Sequence, residues 1–178
     1  MAYIMVDIES DGPIPGDYSM ISFGAVLVDE QLDKTFYGKL KPISDKFIPE
    51  ALAVSDHSRN ETLEFEEPKK VMTDFANWIK ENCKDRPIFI SDNNGFDWMF
   101  ICWYFHHFIE TNPFGFSSLL RQGFTLSCLS RQVQPVKNRV GEAGLFPAST
   151  SHTTVRTVRY TAVLYLRCTF AYTSERNT

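Results

Sequence analysis

The sequence predicts a mixed α/β fold, and three observations predict it. Apolar runs rich in β-branched and aromatic residues lie at residues 2–9, 20–29 and 34–40. Their short connections suggest an antiparallel meander. Residues 64–82 then carry a helical stripe, and a short apolar run at 86–91 precedes a long aromatic segment at 96–109. A meander followed by helix, strand and helix is a mixed α/β arrangement.

Each element has its own warrant. The first run ends in Asp7 and Glu9. Residues 10–19 hold Gly12-Pro13-Ile14-Pro15-Gly16-Asp17, which marks a loop. Residues 42–60 read as irregular, with a short helix near 49–53. In the 64–82 helix Phe65, Val71, Phe75, Trp78 and Ile79 form one stripe, and Pro68 suits the first turn. Asp92-Asn93-Asn94-Gly95 is a turn. The 96–109 helix is apolar nearly all round, which predicts burial on every side. His106 and His107 fall within it as core or helix-end residues. From about Leu119 no helical period survives, and Ser and Thr dominate.

A chain of 178 residues with 43% hydrophobic and 22% charged content reads as one ordinary globular domain. Cys83, Cys102, Cys128 and Cys168 form no Cys-x-x-Cys pair, so reduced thiols in a cytoplasmic protein are expected. A strand starting two residues after Met1 leaves no room for a signal peptide, and no apolar stretch is long enough for a bilayer. The net charge of −4 argues against a passive nucleic-acid binder. It argues less against a metal enzyme, whose acids hold the ions that meet the phosphates. The charge is uneven: residues 1–110 hold 20 acids against 10 Lys and Arg, and residues 111–178 hold 2 against 8.

Alternate side chains of a strand share a face, so Asp7 and Glu9 point the same way. Two half-buried carboxylates repel and lose solvation unless a cation sits between them, and hard divalent ions want such ligands. The plain alternative is a strand end with two solvated acids. Asp97 opens a helix, where the dipole alone favours an acid by about 0.3–1 kcal/mol. Its functional reading is a third ligand facing the other two.

Three segments carry a resemblance. Val6-Asp7-Ile8-Glu9-Ser10-Asp11-Gly12, Met20-Ile21-Ser22-Phe23-Gly24-Ala25-Val26 and Ser91-Asp92-Asn93-Asn94-Gly95-Phe96-Asp97-Trp98 resemble the first two motifs of the DEDD (DnaQ-like) 3′–5′ exonucleases. Pro49-Glu50-Ala51-Leu52-Ala53-Val54-Ser55 resembles the segment between them. The similarity is greatest to small bacterial and phage exoribonuclease-like proteins and covers about residues 3–117. It implies a ribonuclease H-like fold, a mixed sheet with strands 1–3 antiparallel, further strands parallel, and flanking helices. It implies two Mg²⁺ or Mn²⁺ ions roughly 4 Å apart at the scissile phosphodiester. Asp7 would bridge them, Glu9 would bind one beside the nucleophile, and Asp97 would hold the second. The main chain of Ser10, Asp11 and Gly12 would lie against the terminal nucleotide. Phe96 and Trp98 flank Asp97 as base-stacking candidates, with core packing the plain alternative.

The family's third motif, a His or Tyr base with a fourth acid, has no counterpart. His152 is the candidate base, yet five positions on stands Thr157, and no aspartate follows Asp97. One expectation is therefore a core of 1–117 followed by a divergent or frameshifted segment of 118–178. The function expected is removal of nucleotides from the 3′ ends of RNA or single-stranded DNA, with impaired activity. The rival is a catalytically inactive nucleic-acid-binding module of the same fold. Homodimerisation is a further implication of the resemblance.

Overall fold

A computed structural model describes residues 2–29 and 31–120. His152 lies outside them, as does the expected divergence or frameshift beyond residue 120.

The apolar runs become five strands: β1 (Ala2–Ser10), β2 (Met20–Leu27), β3 (Thr35–Lys39), β4 (Pro87–Ser91) and β5 (Ser118–Leu120). Their order across the sheet is β3-β2-β1-β4-β5. β1 pairs antiparallel with β2, and β2 with β3, as the short connections require. β4 pairs parallel with β1, and β5 parallel with β4. The helices are α1 (Pro49–Val54), α2 (Arg59–Thr62), α3 (Pro68–Asn82) and α4 (Asn94–Ile109). Among the described residues no helix is long and apolar enough to cross a membrane.

The differences from expectation have local causes. α3 starts at Pro68, four residues later than the periodicity suggests. A residue before proline is pushed out of the helical region, and Glu67 sits at φ −59°, ψ 133°. Phe65 thus falls outside the helix. α2 lies in the stretch read as irregular. Ser58 caps its N-terminus, accepting from the Glu61 N–H. β5 has only three residues, too few to show a period. Asn94 at the start of α4 donates to the Ser118 hydroxyl at 2.8 Å and ties that strand down.

The core sits on one side of the sheet. Ile4, Val6, Ile8, Phe23 and Ala25 face α3 and α4 there. The Ile, Val and Phe side chains among them each contribute about 1.5–3 kcal/mol. Phe75 of α3 packs against Phe23, Phe36 and Phe105, with ring centres 4.8, 5.0 and 5.6 Å away. Gly38 of β3 lets α3 come close, because a Cβ there would lie 2.6 Å from Val71 Cγ1. Tyr104 of α4 is fully buried, and its hydroxyl accepts from the Met20 N–H at 2.7 Å.

The expectation that the aromatic helix is buried all round is corrected. Asp97, Phe100, Ile101, Tyr104 and Phe105 are its buried residues. Met99, His106 and His107 are exposed, and Trp98, Cys102 and Trp103 are half-buried. Together these six line an open hollow of about 550 Å³. Only one side of a helix can face one sheet, however apolar the rest.

Asp11 ties the loops above β1 together. Its carboxylate is fully buried and takes Nη1 of Arg59 at 2.9 Å, together with the Ser19 N–H. Its carbonyl takes the Ile48 N–H at 2.8 Å. Removing one partner of a buried ion pair strands the other charge. Asp11→Ala is therefore expected to cost about 3 kcal/mol in urea unfolding. Arg59→Ala should cost a similar amount, and the double variant less than the sum. Additive losses would show that the pair does not act as one.

Candidate active site

The sheet register decides which side chains meet. Glu9 pairs with Ser22 and Ser22 with Lys39, so the three form one row across β1, β2 and β3. Asp7, Gly24 and Tyr37 form the next row. Directly opposed residues share a face. Asp7 and Glu9 therefore stand on the face away from α3 and α4, as two-residue alternation along β1 demands. Lower on that face Met5, Val26 and Ile90 form a small apolar cluster.

β1 and β4 run parallel with Met5 beside Ile90. Asp92, in the turn that follows β4, acts on the Asp7 carboxyl through its charge. This neighbour was missed in the sequence, where Asp92 reads as a turn residue. Only the folded chain reveals it.

Asp97 lies in the first turn of α4, past the end of β4. It is 2% exposed, and its Oδ2 is buried without a hydrogen-bond partner among the described residues. Buried polar atoms are rarely left so.

The electrostatics show that the acids share one neighbourhood. Burial pushes the Asp7 carboxyl up to about 6, and Asp92 adds to the effect. Burial, then Asp7 and Asp56, push Glu9 up to about 7. Burial, then chiefly Asp7, push Asp97 up to about 7. Asp56, at the end of the α1 segment, is a second neighbour that the sequence did not single out. Its positive φ of 57° marks the turn that brings it in.

Of the other candidates, Ser10 and Asp11 have side chains already engaged. The Ser10 hydroxyl donates to the Gly12 carbonyl at 2.8 Å, and Asp11 holds Ser19 and Arg59. Gly12 is pressed against Tyr18, where a Cβ would come within 2.1 Å of the ring. These three shape the loop through side chain and backbone alike. Phe96 and Trp98 are half-buried, with ring centres 5.1 Å from Phe100 and Phe89 respectively, and Trp98 also lines the hollow.

Among the described residues no three His, Cys, Asp or Glu side chains stand as a formed metal cluster. The donor chemistry nonetheless fits a hard divalent cation. Asp7 raises the pKa of both Glu9 and Asp97, and Asp97 Oδ2 lacks a partner that a cation would provide.

No family model matches the chain. It is 41% identical over 120 residues to the 3′–5′ DNA exonuclease Cap18 of Escherichia coli. The match covers 66% of this chain and 64% of that protein, so the chain spans less than two thirds of its relative's length. Among solved structures it is similar to product-bound exonuclease I (TM-score 0.67, 14% identity, 94% of this chain and 42% of that one). It is also similar to cell-death related nuclease 4 (TM-score 0.65, 13% identity, 95% of this chain and 64% of that one). E. coli exonuclease I in complex with a dA13 oligonucleotide matches with TM-score 0.65 and 17% identity, over 92% of this chain and 39% of that one. At such identities these structures speak for the fold alone. The sequence shared with Cap18 makes the chain similar to a 3′–5′ DNA exonuclease, and its mixed sheet with flanking helices is a ribonuclease H-like fold.

Proposed function

We propose that this protein is a metal-dependent 3′–5′ exonuclease acting on single-stranded DNA. The observation that carries the reading is that the Asp7 charge acts on both Glu9 and Asp97 at one end of the sheet. The relative that shares 41% of its matched residues is a DNA exonuclease, which favours DNA over RNA.

Asp7 and Glu9, on one face of β1, and Asp97, at the start of α4, would hold the divalent ions. When bound, such ions supply Lewis-acid stabilisation of the charge that develops on the phosphodiester and lower the pKa of water. Glu9 would orient the attacking water. Asp97 would keep one oxygen, Oδ2, free for the site. The Ser10–Gly12 backbone, fixed by Asp11 and Arg59, would limit where the terminal nucleotide can lie. Water adds across the phosphodiester, releasing a nucleoside monophosphate and a shortened strand.

The test uses 5′-labelled single-stranded DNA and its RNA twin with Mn²⁺. A ladder that shortens from the 3′ end of the DNA, and more slowly on RNA, is expected. Equal or faster shortening of RNA would overturn the choice of sugar. Binding with no shortening of either strand would favour the inactive-module alternative.

A further inference from the structure

The carboxylate face continues across the sheet beyond the acids. Its outer edge carries Lys39, in the same row as Glu9 and Ser22. Two strand spacings separate Lys39 from Glu9, about 10 Å between backbones. Tyr37, one row below, pairs with Gly24 and has Ser22 and Glu9 as neighbours.

Lys39 differs from the other cations nearby. Lys34, Lys41, Lys46, Arg59 and Lys70 each pair with a carboxylate within 4 Å. Lys39 makes no such pair within 4 Å among the described residues; its charge acts on the Glu61 carboxylate, which lies further off. Its Nζ lies 5.0 Å from the centre of the Phe65 ring. Phe65 is held edge-on by His57, at 4.9 Å between ring centres, and His57 is in turn fixed by Glu61 at 3.0 Å. The lysine stem therefore rests on a braced aromatic platform. A cation–π contact of this kind holds an ammonium in place while leaving its N–H donors open.

We propose that Lys39 contacts a backbone phosphate of the bound strand, upstream of the scissile phosphodiester. The inference rests on the exonuclease reading above and adds a residue to it. A chain segment with 20 acids against 10 bases needs a cation near its carboxylates if it is to hold a polyanion. Lys39 stands on the correct face, in register with Glu9 and at the sheet edge along which a strand leaving the acids would run. Its role is binding and positioning, since it lies two strands away from the reacting atoms.

The experiment compares wild type with Lys39→Met, Lys39→Arg and the charge-matched control Lys70→Met on one 5′-labelled DNA. Binding is followed by anisotropy in EDTA across a salt series, and turnover is measured in Mn²⁺. Lys39→Met is expected to weaken binding about two- to tenfold. It should also reduce the slope of log K against log salt by about 0.7, the value for one phosphate of a single strand. KM should rise with kcat little changed. Lys39→Arg should restore most of the slope, and Lys70→Met should leave it as in wild type. Melting curves check that each variant is folded. Wild-type shortening with KM and salt slope unmoved in Lys39→Met would overturn the role of Lys39 alone. Wild-type protein that neither binds nor shortens the strand would overturn the exonuclease reading, and this inference with it.

Discussion

Asp7→Asn is expected to abolish Mn²⁺-dependent shortening of single-stranded DNA, with a rate loss of at least about 10²–10³-fold. Asp7 is the acid to which the others respond: it raises the pKa of both Glu9 and Asp97. It also sits between them, on β1 with Glu9 and beside the strand that leads to Asp97. The substitution keeps the shape and removes the charge, so the fold should survive. EDTA should give the same loss in wild type. The assay is the shrinking 3′ ladder, scored beside melting curves of both proteins. Undiminished shortening by folded Asp7→Asn would mean that this face is not where the chemistry happens. The same result with EDTA would remove the metal from the account.

Metal-free protein is expected to lose stability as pH rises from about 4 to about 7, and divalent ions should restore it at the upper end. The sign follows from the raised carboxyls. Asp7, Glu9 and Asp97 keep their protons to about 6, 7 and 7 in the folded chain. In the unfolded chain such groups ionise near 4. Above that, the unfolded state binds fewer protons, so stability falls with pH until the folded carboxyls have also ionised. The stabilising contribution is thus complete below about 4 and gone above about 7. Three groups shift together, so the effect should exceed that of any single surface substitution. A cation held by the ionised acids binds only the folded state and raises its melting temperature. Mn²⁺ should therefore raise Tm strongly at pH 8 and little at pH 5. Asp7→Asn should melt higher than wild type at pH 8 in EDTA and gain little from Mn²⁺. A Tm independent of pH in EDTA, or an equal Mn²⁺ shift at pH 5 and 8, would contradict the coupling.

Local pattern made much of this protein legible. The alternation of β1 alone puts Asp7 and Glu9 on one face, because a strand has a period of two whatever surrounds it. The stripe of Val71, Phe75 and Ile79 predicts a helix with one buried side, and α3 buries all three. Pro49 and Pro68 mark helix starts through their own geometry. The order of apolar runs is enough for a mixed α/β fold.

Tertiary structure decided what depends on who sits beside whom. The apolar content of residues 96–109 says that the helix wants burial, but one sheet covers only one side of it. Trp103 and Met99 were left on the outer side, which no property of the segment announces. β5 is a strand because β4 offers it a parallel edge, and three residues carry no signal of their own. Asp92 comes within electrostatic reach of Asp7 because β4 docks beside β1, and Lys39 falls in line with Glu9 through the β1–β2–β3 register. The sequence determined the longer elements and the acids that they carry, because those are properties of neighbours along the chain. Register, and with it the membership of the site, belongs to contacts across the sheet, and these form only when the whole domain folds.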